Sequence, residues 1–231
     1  HIECKSETRF DWDIIGYTVG RMLPSAGVPV LTGDFHRPTL TMLKQCFTAM
    51  ATTSACEMCH IVGVTPEARS LEDARGNKPL RGEFTITQED YEESRRQICS
   101  AGEGKINFVL MGCPHYSLED IQQVANYIEG KKVAEGVELH VWTDMSTLAM
   151  AKASGFVKTI EEAGGNVLSS SCAMVMDPAA FAHVTAMVTD SGKQGHYMHS
   201  CFGAGKHVPI YYGDIYQCID AAAAGYWKGE A

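Results

Sequence analysis

The stretch 107–120, NFVLMGCPHYSLED, leaves this chain few folds to choose from. The apolar run Phe108–Met111 suits a buried strand; it stops at Gly112, and helical spacing begins a few residues later. Ser117 is placed to accept the backbone N–H three residues on and Asp120 to reach back, a capping box that starts a helix at a defined residue. Pro114 removes one backbone N–H and holds Cys113 in extended geometry. The pattern therefore predicts a strand, a tight turn carrying Cys113 and His115, and a helix start. In open α/β sheets ligands bind at the carboxyl ends of strands, and a helix N-terminus there favours a thiolate. A buried, inert cysteine in a strand-to-helix turn is the plain alternative.

The remaining chain repeats strand and helix. Helical spacing runs from Phe10 to Leu23 and stops before Pro24, and a strand is expected at Val28–Leu31. His36–Thr53 reads as a helix with Pro38 in its first turn, and Ala55–Val64 as a strand. The polar stretch Arg69–Gly82 reads as a surface loop and the best internal seam, one that could separate two α/β lobes. Thr87, with Asp90 behind it, opens a charged helix to Ser100, and the helix capped at Ser117 runs to about Val133. Beyond it come a strand at Glu138–Trp142, a helix at Ser146–Ala163 and a strand at Asn166–Ser169. Asp177 and Pro178 open a further helix, and Val184–Thr189 fits helix or strand. A strand at Val208–Tyr212 and a helix at Asp214–Gly225 close the series. Strands alternating with helices predict an α/β fold, a mostly parallel sheet with helices on both faces.

Composition excludes several classes of function. A net charge of −9 argues against nucleic acid or an anionic membrane as partner, and no apolar run is long enough to span a bilayer. The chain opens HIECKSET, without Met or a signal-peptide pattern, so the expectation is a start within a longer, cytoplasmic protein. Nine cysteines without an export signal suit a reducing compartment rather than a disulfide framework. Cys4, Cys46, Cys99 and Cys218 read as packing. Cys56-Glu-Met-Cys59-His60 has the haem-attachment spacing, but it runs into an apolar strand pattern and reads as buried packing.

Cys172 repeats the setting of Cys113: an apolar strand, a small polar turn with Ser170 and Ser171, then a thiol. Thiols at the carboxyl ends of two parallel strands face one crevice, where they suit an iron–sulfur cluster or zinc, with at least one further ligand from elsewhere. Thr189-Asp-Ser-Gly-Lys193 is a polar turn in which Ser191 and Lys193 could bind a carboxylate or phosphate; as an alternative it is an ordinary solvated turn.

These motifs together resemble the large subunit of the aconitase X family. The resemblance is carried by Gly112-Cys-Pro-His-Tyr-Ser-Leu-Glu119, by His60-Ile-Val-Gly-Val-Thr-Pro-Glu-Ala68 upstream, and by Ser170-Ser-Cys172 and Thr189-Asp-Ser-Gly-Lys193-(x2)-His196-Tyr197 downstream. It extends over roughly residues 12 to 225, as the C-terminal portion of such a subunit. The resemblance implies an aconitase-like fold and an iron–sulfur-dependent hydro-lyase that dehydrates a small hydroxy acid, such as cis-3-hydroxy-L-proline or mevalonate 5-phosphate. It also implies a [4Fe-4S] or [2Fe-2S] cluster, a small swivelling subunit or domain as partner, and an N-terminal portion of the large subunit that this chain lacks.

Carried over by position, Cys113 and Cys172 match the cluster cysteines, and Ser191 and Lys193 match the Ser-Gly-Lys turn near the substrate. Ser170 and Ser171 join them as substrate-binding candidates, and His115 is the candidate acid–base or orienting group. A third cluster cysteine is left open between Cys46, Cys56 and an upstream residue. A zinc- or thiol-dependent enzyme with Cys113 as nucleophile, and a non-catalytic binding domain, are the alternatives.

Overall fold

A computed structural model describes residues 1–24, 27–203 and 205–229. The chain forms two compact units, His1–Arg95 and Arg96–Ala231, so the division falls after Arg95, within a helix, whereas the 69–82 stretch belongs to the first unit.

The first unit contains α1 (Arg9–Met22), β1 (Val30–Leu31), α2 (Leu40–Thr53), β2 (His60–Ile61), α3 (Leu71–Arg75) and most of α4 (Gln88–Ile98). Close packing of α1 on α2 depends on glycine: a Cβ at Gly16 would lie 2.0 Å from the Cys46 carbonyl oxygen. Three expectations need correction. The helix expected from His36 starts at Leu40, because the Thr39 hydroxyl accepts the Met42 N–H at 3.3 Å and fixes the cap there, leaving Pro38 outside. The strand expected over 55–64 shrinks to His60–Ile61, paired in parallel with β1, because a turn from Ile61 to Thr65 follows at once. Ser70 caps the short α3 inside the expected loop.

The second unit contains β3 (Gly104–Lys105), β4 (Phe108–Tyr116), α5 (Leu118–Ile128), β5 (Glu138–Thr143), α6 (Met145–Ala153), α7 (Phe156–Glu162), β6 (Gly165–Ser169), β7 (Met187–Thr189), α8 (Gly192–Tyr197), β8 (Ile210–Tyr212), α9 (Ile215–Ala224) and β9 (Tyr226–Trp227). Five strands form one parallel sheet in the order β6-β5-β4-β7-β8, and β3 pairs with β9 in a separate antiparallel ribbon.

Alternation along β4 explains why both faces of the sheet are dry. Val109 and Met111 pack with Ile121, Val124, Ile160 and Ile219 from α5, α7 and α9. Phe108 and Leu110 point the other way, onto Phe181, Val184, Met198 and Phe202. The fold is thus the α/β architecture predicted, with one difference of detail: the second face is covered by short helical turns rather than long helices. Asp177 caps a 3₁₀ turn, Pro178–Phe181, in place of the helix expected there. Gly155, in left-handed geometry at φ 83°, divides the helix expected over 146–163 into α6 and α7.

Candidate active site

The carboxyl edge of the five-stranded sheet gathers most of the residues singled out in the sequence. The strand β4 does not stop at Gly112 as expected; it continues to Tyr116 over a bulge. Between paired positions, β4 spends five residues from Met111 to Tyr116 while β5 spends two from Val141 to Thr143, so residues 112–115 arch outward. Gly112 makes the arch possible. Its φ is 92°, and a Cβ there would lie 2.2 Å from the Trp142 carbonyl oxygen. Where the arch returns to the sheet, the Thr143 hydroxyl donates to the Tyr116 carbonyl at 2.6 Å, and the capping box of Ser117 and Asp120 starts α5 as predicted.

The arch carries Cys113, Pro114 and His115 to the wall of a cavity of about 150 Å³, lined also by Gly112, Trp142, Cys172, Ala173 and Gln194. The two thiols that the sequence separates by a helix–strand–helix–strand excursion thus share one cavity. Cys113 is buried and Cys172 half-buried. Cys172 also caps a 3₁₀ turn, Ala173–Val175, its sulfur accepting the Met174 N–H at 3.4 Å. None of the nine cysteines, all among the described residues, is in a disulfide.

His115 ties the two cysteine turns together. Its Nε2 lies 2.9 Å from the Ser171 carbonyl, and since a carbonyl only accepts, Nε2 carries the proton of this bond. Ser170 and Ser171 are exposed, and Ser170 adopts a left-handed conformation at φ 67°, which turns the chain between β6 and Cys172.

The 189–193 turn is no solvated loop. Thr189, Asp190 and Ser191 are buried, and Tyr116 donates to Asp190 Oδ2 at 2.5 Å, locking the turn to the end of β4. Ser191 caps α8, accepting the Gln194 N–H at 3.3 Å, and Thr189 Oγ1 donates to Gln194 Oε1 at 2.7 Å. This places Gln194 on the cavity wall. Lys193, half-buried beside it, makes no hydrogen bond or ion pair with any described residue. Trp142 and Gln194 were not singled out in the sequence. The only signal for Gln194 is its place directly after the Ser-Gly-Lys turn; for Trp142 there is none.

Of the cysteines read as packing, Cys4, Cys46 and Cys218 are buried, whereas Cys56, Cys59 and Cys99 are only half-buried. Cys46 and Cys218 are fully buried, and burial pushes the Cys46 thiol well above its ordinary range. Cys99 lies just beyond α4, where its sulfur accepts the Tyr212 N–H. Cys56 lies outside any strand, in the first unit, where it lines a separate cavity of about 300 Å³ with Thr53 and Ser54. Among the described residues no three His, Cys, Asp or Glu side chains are grouped to hold a metal, although Cys113, His115 and Cys172 line one cavity. No helix among the described residues is long and apolar enough to cross a membrane.

Comparison with known proteins identifies relatives of the chain. The chain is 29% identical over 219 residues to a cis-3-hydroxy-L-proline dehydratase of Hypocrea jecorina, covering 94% of this chain and 36% of that protein. It is 30% identical over 203 residues to a phosphomevalonate dehydratase large subunit of Methanothermobacter thermautotrophicus, covering 87% of this chain and 48% of that one. The crystal structure of Thermococcus kodakaraensis aconitase X in its holo form superposes with a TM-score of 0.78 at 25% identity, over 96% of this chain and 53% of that one. The chain thus spans about a third to a half of the length of these relatives. Sequence models of the aconitase X second domain match residues 1–96 and of its third domain residues 106–224, nearly unit for unit, and the chain belongs to the aconitase X family.

Proposed function

We propose that this chain is part of a hydro-lyase that eliminates water from a small hydroxy acid, with an iron–sulfur cluster held at the cavity between Cys113 and Cys172. The observation that carries the reading is that shared cavity, in a chain whose relatives are named as dehydratases. Soft thiolates in a sheltered crevice suit iron–sulfur ligation, and the two thiols fit two of its ligands. The remaining ligand comes from protein outside this group of residues. When bound, such a cluster supplies a Lewis-acidic iron for the leaving hydroxyl.

The chain's own side chains then have distinct tasks. Lys193 and Ser191 bind the anionic end of the substrate; Lys193 is half-buried with no hydrogen-bond or ion-pair partner among the described residues, which supports this assignment. Ser170 and Ser171 form the exposed lip of the cavity and contact the substrate there. His115 orients the Cys113 arch against the Cys172 turn through its bond to Ser171. Substrates of the two related enzymes, a hydroxyproline and a phosphorylated hydroxy acid, both carry the carboxylate this arrangement recognises. The site is completed by the rest of the large subunit and by a small swivelling subunit or domain, in the cytoplasm.

The test is anaerobic reconstitution with iron and sulfide, followed by dehydration assays with cis-3-hydroxy-L-proline and mevalonate 5-phosphate. The assembled protein is expected to turn over one of them and residues 1–231 alone neither. Cys113→Ser and Cys172→Ser are each expected to abolish cluster binding while leaving the circular dichroism spectrum intact. Full iron and sulfide content in either variant sinks the cluster assignment; turnover by the isolated chain shows that no further protein is needed.

A further inference from the structure

We infer that the indole N–H of Trp142 is a hydrogen-bond donor to a sulfur atom of the group held between Cys113 and Cys172. The inference rests on the iron–sulfur reading above. Trp142 is only 5% exposed and lines the cavity together with both cysteines. Its ring carbons pack with Phe108, Leu110 and Ala173, a task any large apolar ring performs. What an indole adds is a single donor, Nε1–H. That nitrogen is buried and has no hydrogen-bond partner among the described residues. Buried indole N–H groups are ordinarily paired, so the missing acceptor has to be something that fills the cavity.

Trp142 is also held firmly in place. Its backbone pairs with Leu168 on β6, and on its other side β4 passes so close that Gly112 has no room for a side chain. The donor is thus fixed before its acceptor arrives, and Cys113 and Cys172 line the same cavity as Trp142. Thiolate and sulfide sulfurs are anionic acceptors. A hydrogen bond to them stabilises the more negatively charged, reduced cluster and so raises its reduction potential.

The experiment uses the assembled protein reconstituted with ferrous iron and sulfide. Trp142→Phe removes the donor with some loss of volume. Site-specific replacement of Trp142 by benzothienylalanine keeps the bicyclic shape and removes only the N–H. Both variants are expected to hold wild-type iron and sulfide, to show a more negative reduction potential, and to lose part of the deuterium shift of the Fe–S stretching bands in resonance Raman spectra. An unchanged potential and deuterium shift in both variants overturn the proposal while leaving the cluster in place. A change that appears only when substrate is added makes the substrate the acceptor and overturns the sulfur assignment. Wild-type protein that assembles no cluster overturns this inference and the functional reading together.

Discussion

The two edges of the five-stranded sheet differ in what surrounds their polar groups. At the amino edge, several polar side chains pair with one another, although the buried His140 Nδ1 has no hydrogen-bond partner among the described residues. The Asn107 carboxamide oxygen accepts from the backbone N–H and hydroxyl of Thr185, while its nitrogen donates to the His183 carbonyl at 2.9 Å. Glu138 sits between two imidazoles, 3.4 Å from His140 Nε2 and 3.1 Å from His183 Nε2. At the carboxyl edge, Lys193 and the Trp142 N–H have no hydrogen-bond partner among the described residues, and Trp142 lines a cavity with Cys113 and Cys172. A buried donor without a partner costs stability, and at the carboxyl edge it belongs to a residue that lines a cavity. The amino edge ties strands to neighbouring segments; the carboxyl edge carries the cavity.

Gly112→Ala is the strongest test of that contrast, because at this residue the carboxyl edge is also structural. The added methyl meets the Trp142 backbone and forces a non-glycine residue into φ 92°, so a loss of roughly 3–5 kcal/mol in urea unfolding is expected, together with loss of the cavity. A variant with wild-type stability removes the arch as the element that positions Cys113.

Lys193→Ala separates the edges more sharply. With no partner among the described residues, the ammonium contributes little to the fold, and unfolding stability is expected to change by less than about 0.5 kcal/mol. The kcat/KM of the assembled enzyme is expected to fall by about 1.5–3 kcal/mol, chiefly through KM. An unchanged KM removes Lys193 from the substrate site.

Asn107→Ala should do the reverse. It deletes a carboxamide that joins β4 to the segment before β7, and at a half-buried site where water can replace part of the bonding the cost is about 1–2 kcal/mol. Activity per folded molecule is expected to stay at the wild-type level. A specific activity that falls with stability held would mean that the amino edge also serves the reaction.

How much of this could be read from the sequence depends on whether the determining contacts are local. The Ser117–Asp120 capping box and the buried strand at Phe108–Met111 are written within a few residues, and both are found as predicted. So is the meeting of Cys113 with Cys172, which needs only the rule that strands of a parallel sheet end on one edge. The arch was missed because it depends on the Trp142 backbone, on another strand, and residues 112–115 by themselves read as a plain turn. The expected strand over 55–64 failed for a related reason: its apolar run suggested length, while the turn at Ile61–Thr65 leaves only two residues to pair. Trp142 looks like a core residue in sequence and Gln194 like an ordinary polar one, and only the folded sheet shows them on the cavity wall.

The smallest effect belongs to the amino edge and concerns pH. Burial lowers the His140 pKa below its usual 6.5, the Glu138 carboxylate opposes that shift, and nearby His183 adds to it. Between the folded value and about 6.5 the unfolded chain therefore binds more protons at this position than the folded one, and stability rises with pH across that window. Acidification below about 6.5 destabilises the sheet, and the loss stops once the folded imidazole is itself protonated. One site changes the slope by at most about 1.4 kcal/mol per pH unit, and the partial shift here keeps the effect well inside that limit. His140→Gln is expected to flatten the dependence of the unfolding midpoint on pH between 5 and 7 (roughly the range where an imidazole titrates). Because Glu138 and His183 face the same group, Glu138→Gln is the control: it removes the opposing carboxylate, lowers the His140 pKa further and widens the window. If His140→Gln leaves the pH dependence unchanged, the amino edge is pH-insensitive, and the contrast between the two edges rests on hydrogen bonding alone.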